Sequence, residues 1–244
     1  KSTPETSTQT TAMLNFLIAS TSGTAFFLSF LLFAIRRGTN TNANRWLAGF
    51  VLMLGFLFLD TSFSALSIYQ EYPATIGFFE MALLAAAPTL YLGVSHFVAV
   101  DKKFKRREWW HFFPCALFLL LSMPFLFSNP RFKLQELHSH GDEFNQADQV
   151  MWGLIVLQIA IYWGLSLRKL QQHRRHILRI TAAPEEFDLD WLLYLLYGIA
   201  ALVLVWILDV SLWGLTLNAT VATPIYLILI WYLGYFALQQ KEIF

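Results

Sequence analysis

Apolar residues occur in seven long runs along the chain, and short polar segments separate them. The runs cover residues 13–35, 46–69, 74–100, 109–127, 149–167, 189–215 and 221–238. A helix that crosses a membrane needs about 20 mostly apolar residues. None of the runs alternates polar and apolar residues as a barrel strand does, and helices satisfy their own backbone hydrogen bonds in lipid. The pattern therefore predicts an all-α fold, a bundle of seven transmembrane helices.

The composition agrees with a chain surrounded by lipid. The sequence is 57% hydrophobic and only 14% charged, with a mean hydropathy of +0.51. Soluble domains carry about 25% charged residues. The run 13–35 is too long for a signal-peptide core and lacks a small-residue cleavage pattern, so it is interpreted as a span. A single cysteine, Cys115, excludes an internal disulfide and a cysteine-based zinc site.

Basic residues indicate the orientation of the bundle. Fourteen of the 17 Lys and Arg residues lie in the loops after the first, third and fifth spans and after the seventh span. The N-terminal tail and the other loops hold only Lys1, Arg131 and Lys133. Cytoplasmic loops carry an excess of Lys and Arg, so the N-terminus is predicted outside and the C-terminus inside. The predicted domains are an extracytoplasmic tail 1–12, a transmembrane domain 13–240 and the start of a cytoplasmic linker 241–244.

Two connectors are longer than turns, and two prolines lie inside predicted spans. The outer loop 128–148 has room for a short helix, and the inner loop 168–188 is predicted to extend the fifth helix into the cytoplasm. Pro88 and Pro224 predict a kink or a local break, because proline removes a helical hydrogen bond. No internal repeat is visible, which weighs against the inverted-repeat transporter folds.

Three carboxyl groups within the predicted spans are the main candidates for a functional site. Asp60, Glu80 and Asp209 all lie about 9–14 Å below the outer ends of their spans, given a rise of about 1.5 Å per residue. No Lys or Arg lies at that depth to neutralise them. Ionisable residues in a span usually face the bundle interior. One hypothesis is therefore a polar pocket, open to the outside, that binds a cation, an amine or another small polar ligand.

Three further residues would complete this ligand site. Ser64 lies one helical turn after Asp60, and Trp206 and Trp213 flank Asp209 at helical spacing, where their rings would stack on a cationic or flat ligand. The alternative is that each acid is protonated and bonded to a neighbouring helix, with a role in packing only. The sequence leaves both interpretations open.

Other polar residues give weaker signals. The segment 138–143 (HSHGDE) lacks a third fixed ligand, so a solvated loop is expected there and not a metal site. Gln158 lies in mid-span and is expected to bond another helix. His96, near the inner end of the third helix, is expected to be an interfacial, hydrogen-bonded histidine. No catalytic motif, phosphate-binding loop or dinucleotide fingerprint appears. We therefore expect no enzyme activity, no cofactor and no metal.

Four segments together resemble a known family. They are 44–47 (NRWL), 87–92 (APTLYL), 104–114 (FKRREWWHFFP) and 234–244 (GYFALQQKEIF). Their order and spacing resemble the membrane-embedded N-terminal region of AraC-type transcriptional regulators, which occur mainly in Bacteroidetes. The last segment of that family typically reads GYxALxQPEIF, so Lys241 stands in the place of a proline. In the family, a linker and a cytoplasmic helix-turn-helix DNA-binding domain follow.

The resemblance implies a multi-pass sensor domain in the bacterial inner membrane. Such a domain would pass a signal from a small ligand, the lipid bilayer or a membrane partner protein to a cytoplasmic domain beyond Phe244. It would reach DNA only through that domain, and AraC-type output domains commonly form homodimers. The alternatives are a small cation- or proton-coupled transporter or channel, and an accessory subunit of a larger membrane complex. The resemblance identifies no ligand residues.

Overall fold

The regular structure of the protein is helical wherever it is described. The computed structural model describes residues 4–34, 41–99, 105–139, 146–180, 189–212 and 221–239. Within these ranges the α-helices are α1 (Pro4–Ala34), α2 (Thr41–Ala65), α3 (Ile68–Glu71), α4 (Met81–Val98), α5 (Phe113–Leu126), α6 (Pro130–Ser139), α7 (Gln146–Ile180), α8 (Asp190–Leu212) and α9 (Thr223–Gln239). Two 3-10 helices, Pro73–Thr75 and Arg106–Phe112, complete the described elements. The prediction of an all-α fold is confirmed.

Six helices in the described ranges are long and apolar enough to cross a membrane. They are α1, α2, α4, α7, α8 and the continuous segment made of the 3-10 helix Arg106–Phe112 and α5. Helix α9 is also apolar, but it has 17 residues and is the shortest of the set. This is the architecture of a multi-pass membrane protein. The seventh span and the orientation of the bundle stay predictions.

Helix α4 is the centre of the bundle. Of the most apolar stretch of α4, 72% is buried, against 6% for Arg106–Leu126 and 11% for the apolar part of α7. Helix α4 packs against α2 and α7, and α1 packs against α2 and α9. A glycine permits the closest of these approaches, because a Cβ atom at Gly234 would lie 2.7 Å from the side chain of Leu28. The apolar side chains of α5 and α7 cover the outside of the bundle, where lipid solvates them.

Polar side chains inside the bundle bond to backbone carbonyls of neighbouring helices. Ser29 Oγ donates to the carbonyl of Ala48 at 2.8 Å, which ties α1 to α2. Gln158 Nε2 donates to the carbonyl of Leu84 at 2.9 Å, so the prediction that Gln158 bonds another helix is confirmed. Helix α4 continues past Pro88, which has no N–H for the Leu84 carbonyl four residues earlier. Gln158 supplies the missing donor.

The bounds of the second and third predicted spans differ from those of the helices that form. Helix α2 begins before the run 46–69 and ends inside it, α3 ends just beyond it, and Ser67 between the two helices has a positive φ of 56°. The prediction of one helix over 74–100 is wrong at its start, because α4 begins at Met81. Gly77 has a φ of 87°, a left-handed conformation that glycine adopts without strain and that a right-handed helix excludes. Apolar composition alone gave no sign of this turn.

The longer connectors follow the predictions. Helix α6 lies in the loop 128–148, and α7 continues to Ile180, well beyond the predicted end of the fifth span. Pro224 is the second residue of α9 and follows a π-helical turn at 221–222, so it lies in the first turn of the helix, where proline is tolerated, and not inside a span as predicted. Helix α1 extends through most of the predicted tail. Residues 181–188, after α7, and 240–244, after α9, lie outside the described ranges.

Candidate functional site

One of the predicted acids bonds to a tyrosine, and the negative charge of a second acts on the same tyrosine. The hydroxyl of Tyr69, in α3, donates a hydrogen bond to Oδ1 of Asp60. Burial raises the pKa of Tyr69, and its bond to Asp60 and the negative charges of Asp60 and Glu80 raise it further. Tyr69 is therefore a neutral O–H donor that lies under the influence of both acids. We call Asp60, Tyr69 and Glu80 the Tyr69 cluster.

Aromatic contacts hold the Tyr69 cluster together. Ser67, with its positive φ, separates α2 from α3, and Tyr69 of α3, which is only 4% exposed, bonds back to Asp60 of α2. The Phe63 ring packs edge-on against Tyr69 at 5.7 Å and against Phe79 at 5.5 Å, measured between ring centroids. Phe79 directly precedes Glu80 in the α3–α4 connector. These contacts therefore hold the Glu80 end of the connector on the side of α2 that carries Asp60. Sequence reasoning missed Tyr69, whose only signal was its place nine residues after Asp60.

The structure corrects the predicted environment of two site residues. Glu80 lies immediately before the first residue of α4 and is exposed, so the prediction that it lies inside a span is wrong. The physical reason is the turn at Gly77, which delays the helix and leaves Glu80 at its N-terminal end. Ser64 is exposed on α2, one turn after Asp60. The burial cost that was expected to force the acids together therefore applies to Asp60 but not to Glu80.

The predicted site residues of α8 are only partly described. The Trp206 ring packs against Trp152 of α7, with 5.2 Å between the ring centroids. The backbone of Asp209 belongs to α8, but its side chain lies outside the described residues, as does all of Trp213. The structure thus bonds Asp60 to Tyr69 and leaves Glu80 exposed, and convergence of the three acids around one pocket stays a prediction.

A partly open cavity of about 100 Å³ lies between the helices of the bundle. Helices α2, α4, α7, α8 and α9 all contribute to its lining, with Ala86 and Ala87 on α4. The polar groups of the lining residues are the hydroxyls of Tyr162 and Tyr226 and the indole N–H of Trp163. The indole N–H already has an acceptor, because it donates to the carbonyl of Leu196 at 2.9 Å. A cavity with such walls stays dry and accepts small apolar groups.

A buried histidine–glutamate pair lies at the other end of α4. His96 Nε2 and Glu108 Oε2 are 3.4 Å apart, and the two side chains are only 2% and 8% exposed. The Trp46 ring stacks over His96 with 6.5 Å between centroids. The expected hydrogen bond of His96 is confirmed in the last turn of α4, where side chains of α2 and the Arg106–Phe112 helix cover the imidazole, and its interfacial position stays a prediction. Sequence reasoning missed Glu108, although a single acid within the basic run 104–114 was a visible signal.

The described residues contain no group of three or more His, Cys, Asp or Glu that could hold a metal ion. In the loop segment 138–143, His138 makes a local contact, with Nδ1 at 2.6 Å from the carbonyl oxygen of Leu134. The other residues of that segment lie outside the described ranges, apart from Ser139 at the end of α6.

Comparison of the chain with protein-family models, curated proteins and solved structures gave no match. The resemblance to AraC-type regulators therefore stays a prediction that rests on the four sequence segments alone.

Proposed function

We propose that this chain is the transmembrane sensor domain of a membrane-bound transcriptional regulator. It would cross the bacterial inner membrane seven times, with its C-terminus in the cytoplasm, and pass a signal to a helix-turn-helix domain beyond Phe244. The unequal distribution of Lys and Arg supports the orientation. The resemblance of the four segments supports the regulatory output.

One observation carries the proposal: α9, the helix that leads toward the C-terminus, forms part of the lining of the cavity. Four α9 residues on one helical face line the cavity, namely Tyr226, Leu229, Ile230 and Leu233. An apolar molecule or an acyl chain in this cavity would touch that face directly. A ligand shifts a conformational equilibrium only by contacting the two states differently. Contact with α9 provides a direct route from the cavity to the output.

The size of the cavity sets the energy that is available for such a shift. Empty cavity volume costs about 24 cal/mol per Å³. For a volume of about 100 Å³, occupancy recovers about 2 kcal/mol, which changes a two-state ratio about 30-fold. A ligand that fills the cavity in one arrangement of α9, and finds it closed in the other, has enough energy to act as a signal.

The walls of the cavity favour this function over cation transport. A transported cation needs polar or charged groups along its path through the bilayer. In the described part of the chain, the cavity lining has no charged side chain. The Tyr69 cluster has two carboxylates, but it lies at one end of the bundle with Glu80 exposed. The proposed signal is therefore a small apolar ligand or a lipid chain.

The test measures the position of α9 in the full-length protein in lipid nanodiscs. Nitroxide labels at Gln172 of α7 and Gln239 of α9 report the distance between the two helices by electron spin resonance. Xenon under pressure serves as the probe, since it enters dry apolar cavities. We expect xenon to change the distance distribution, and Ala87→Phe, which fills the cavity, to produce the change without xenon. The matched control is Ala116→Phe on the exposed face of α5, which should respond to xenon as the unmodified protein does.

Two results would reject parts of the proposal separately. A distance that responds neither to xenon nor to Ala87→Phe shows that the cavity does not control α9. The codons after Phe244 test the output, and we expect them to encode a helix-turn-helix domain. A reading frame without a DNA-binding domain rejects the regulator. Ion flux through the purified chain in liposomes would instead support the transporter.

A further inference from the structure

Lys133 is a buried lysine that the proposed function does not use. It belongs to the polar helix α6, yet it is only 1% exposed. Lysines are almost never fully buried without a charged partner. In the described part of the chain, Lys133 forms no ion pair with a carboxylate. Its ammonium Nζ donates instead to two backbone carbonyls, those of Ala74 at 2.9 Å and Ile76 at 3.2 Å.

Two aromatic rings complete the surroundings of this ammonium. Lys133 Nζ lies 5.2 Å from the ring centroid of Phe78 and 5.6 Å from that of Phe125. A cation within about 6 Å of an aromatic face is attracted by the ring. Two carbonyl acceptors and two ring faces match a group with three N–H donors and no acceptor. We call Ala74, Ile76, Phe78 and Phe125 the ammonium cage.

The connector between α3 and α4 is shaped to form this cage. Gly77, with its φ of 87°, turns the chain between Ile76 and Phe78. A Cβ atom at Gly77 would lie 3.0 Å from the ring of Phe125, so only glycine allows the connector to approach α5 this closely. The contacts of α6 with the 3-10 helix Pro73–Thr75 then place Lys133 over the carbonyls. The cage belongs to the connector and α5, and only its occupant belongs to α6.

We propose that the ammonium cage is a binding site for primary alkylammonium groups, which Lys133 of α6 occupies as a tethered ligand. Helix α6 is then a strap that closes one end of the bundle, and an external primary amine competes with Lys133 for the cage. The external group is a free amine or the ethanolamine headgroup of a lipid, since both present the same ammonium. The proposal does not depend on the function of the cavity.

Chemical rescue tests the cage directly. Lys133→Ala removes the side chain from Cγ to Nζ and leaves room for propylammonium. In the full chain, in nanodiscs of choline lipids, we expect hydrogen exchange of the connector amides to accelerate about tenfold to hundredfold, because charge-assisted hydrogen bonds are lost. Propylammonium should restore protection in a saturable way. Propanol, which matches its size without the charge, should not. Arg131→Ala, on the exposed side of the same helix, is the matched control and should leave the exchange unchanged.

A second set of measurements keeps the proposal testable if Lys133→Ala does not fold. In the unmodified protein, propylammonium should accelerate exchange within α6 while the connector stays protected, because the amine replaces Lys133 in the cage. Nanodiscs with ethanolamine lipids should produce the same effect without added amine if the headgroup is the natural occupant. Equal rescue by propanol, or wild-type protection in the Lys133→Ala protein, would show that Lys133 only fills space. Absence of competition in the unmodified protein would also overturn the proposal.

Discussion

The bond between Gln158 and the Leu84 carbonyl makes a quantitative prediction about the core of the bundle. Pro88 has no N–H, so the Leu84 carbonyl in the most buried helix depends on Gln158 for a donor at 2.9 Å. The perturbation is Gln158→Leu, introduced into the unmodified protein and into a Pro88→Ala background. In that background, the N–H of residue 88 donates to Leu84 as in a regular helix. Gln158 then becomes dispensable.

The expected magnitudes follow from what each variant leaves without a partner. An interhelical hydrogen bond in a membrane protein contributes about 0.6 kcal/mol on average. Leaving a buried carbonyl unsatisfied costs about 1–3 kcal/mol more. Gln158→Leu should therefore cost about 2 kcal/mol in the unmodified protein and about 0.6 kcal/mol with Pro88→Ala. The coupling energy between the two positions is expected to be about 1.5 kcal/mol.

The assay is reversible unfolding in mixed micelles with increasing detergent denaturant. Trp163→Phe is the control, since Trp163 also lies on α7 and donates to a backbone carbonyl at 2.9 Å, that of Leu196. The Leu196 carbonyl lies within α8 and has the N–H of Ala200, four residues later, as its regular helical donor. Pro88→Ala should therefore leave the cost of Trp163→Phe unchanged. If Gln158→Leu costs the same in both backgrounds, within about 0.5 kcal/mol, the reasoning is refuted.

Three further predictions follow from the described contacts. Gly234→Ala should lower the melting temperature because its Cβ would lie 2.7 Å from a side chain, whereas Gly164→Ala meets nothing within 4 Å and should leave it equal or higher. The pKa of Tyr69 is higher in the folded protein than in the unfolded chain. The stabilisation that comes from this difference should therefore be fully present below about pH 10 and be lost as the pH rises above that value. Tyr69→Phe should reduce that loss in an unfolding series against pH, and an unchanged slope would contradict the buried phenol. His96→Leu should cost about 2 kcal/mol in the same assay, because it removes the imidazole that pairs with a buried carboxylate, and adding Glu108→Met should recover most of that loss. A double variant as unstable as the single one would argue against the pair.

Features that depend on local composition were accessible from the sequence. The apolar runs predicted the helices, and the polar loop 128–148 predicted a short helix. Gln158 was visible as a polar group at membrane depth, so its bond to another helix was predictable. The acceptor of this bond was not predictable. The Leu84 carbonyl lacks a helical donor because of Pro88, and both of these residues lie on a different helix from Gln158. Asp60 was found for the same reason as Gln158, since a carboxylate stands out within an apolar run.

The sequence by itself determined that this chain forms apolar helices, where most of them lie, and which polar residues interrupt them. Only the tertiary structure decided which partners those residues meet: Tyr69 with Asp60, His96 with Glu108, and Lys133 with a cage of carbonyls and rings. It also placed Glu80 outside its helix, through the positive φ of Gly77. The physical reason is that helix formation in lipid depends on the hydropathy and hydrogen bonding of adjacent residues. The environment of a polar side chain depends on groups that are distant in the chain, and only helix packing brings these together.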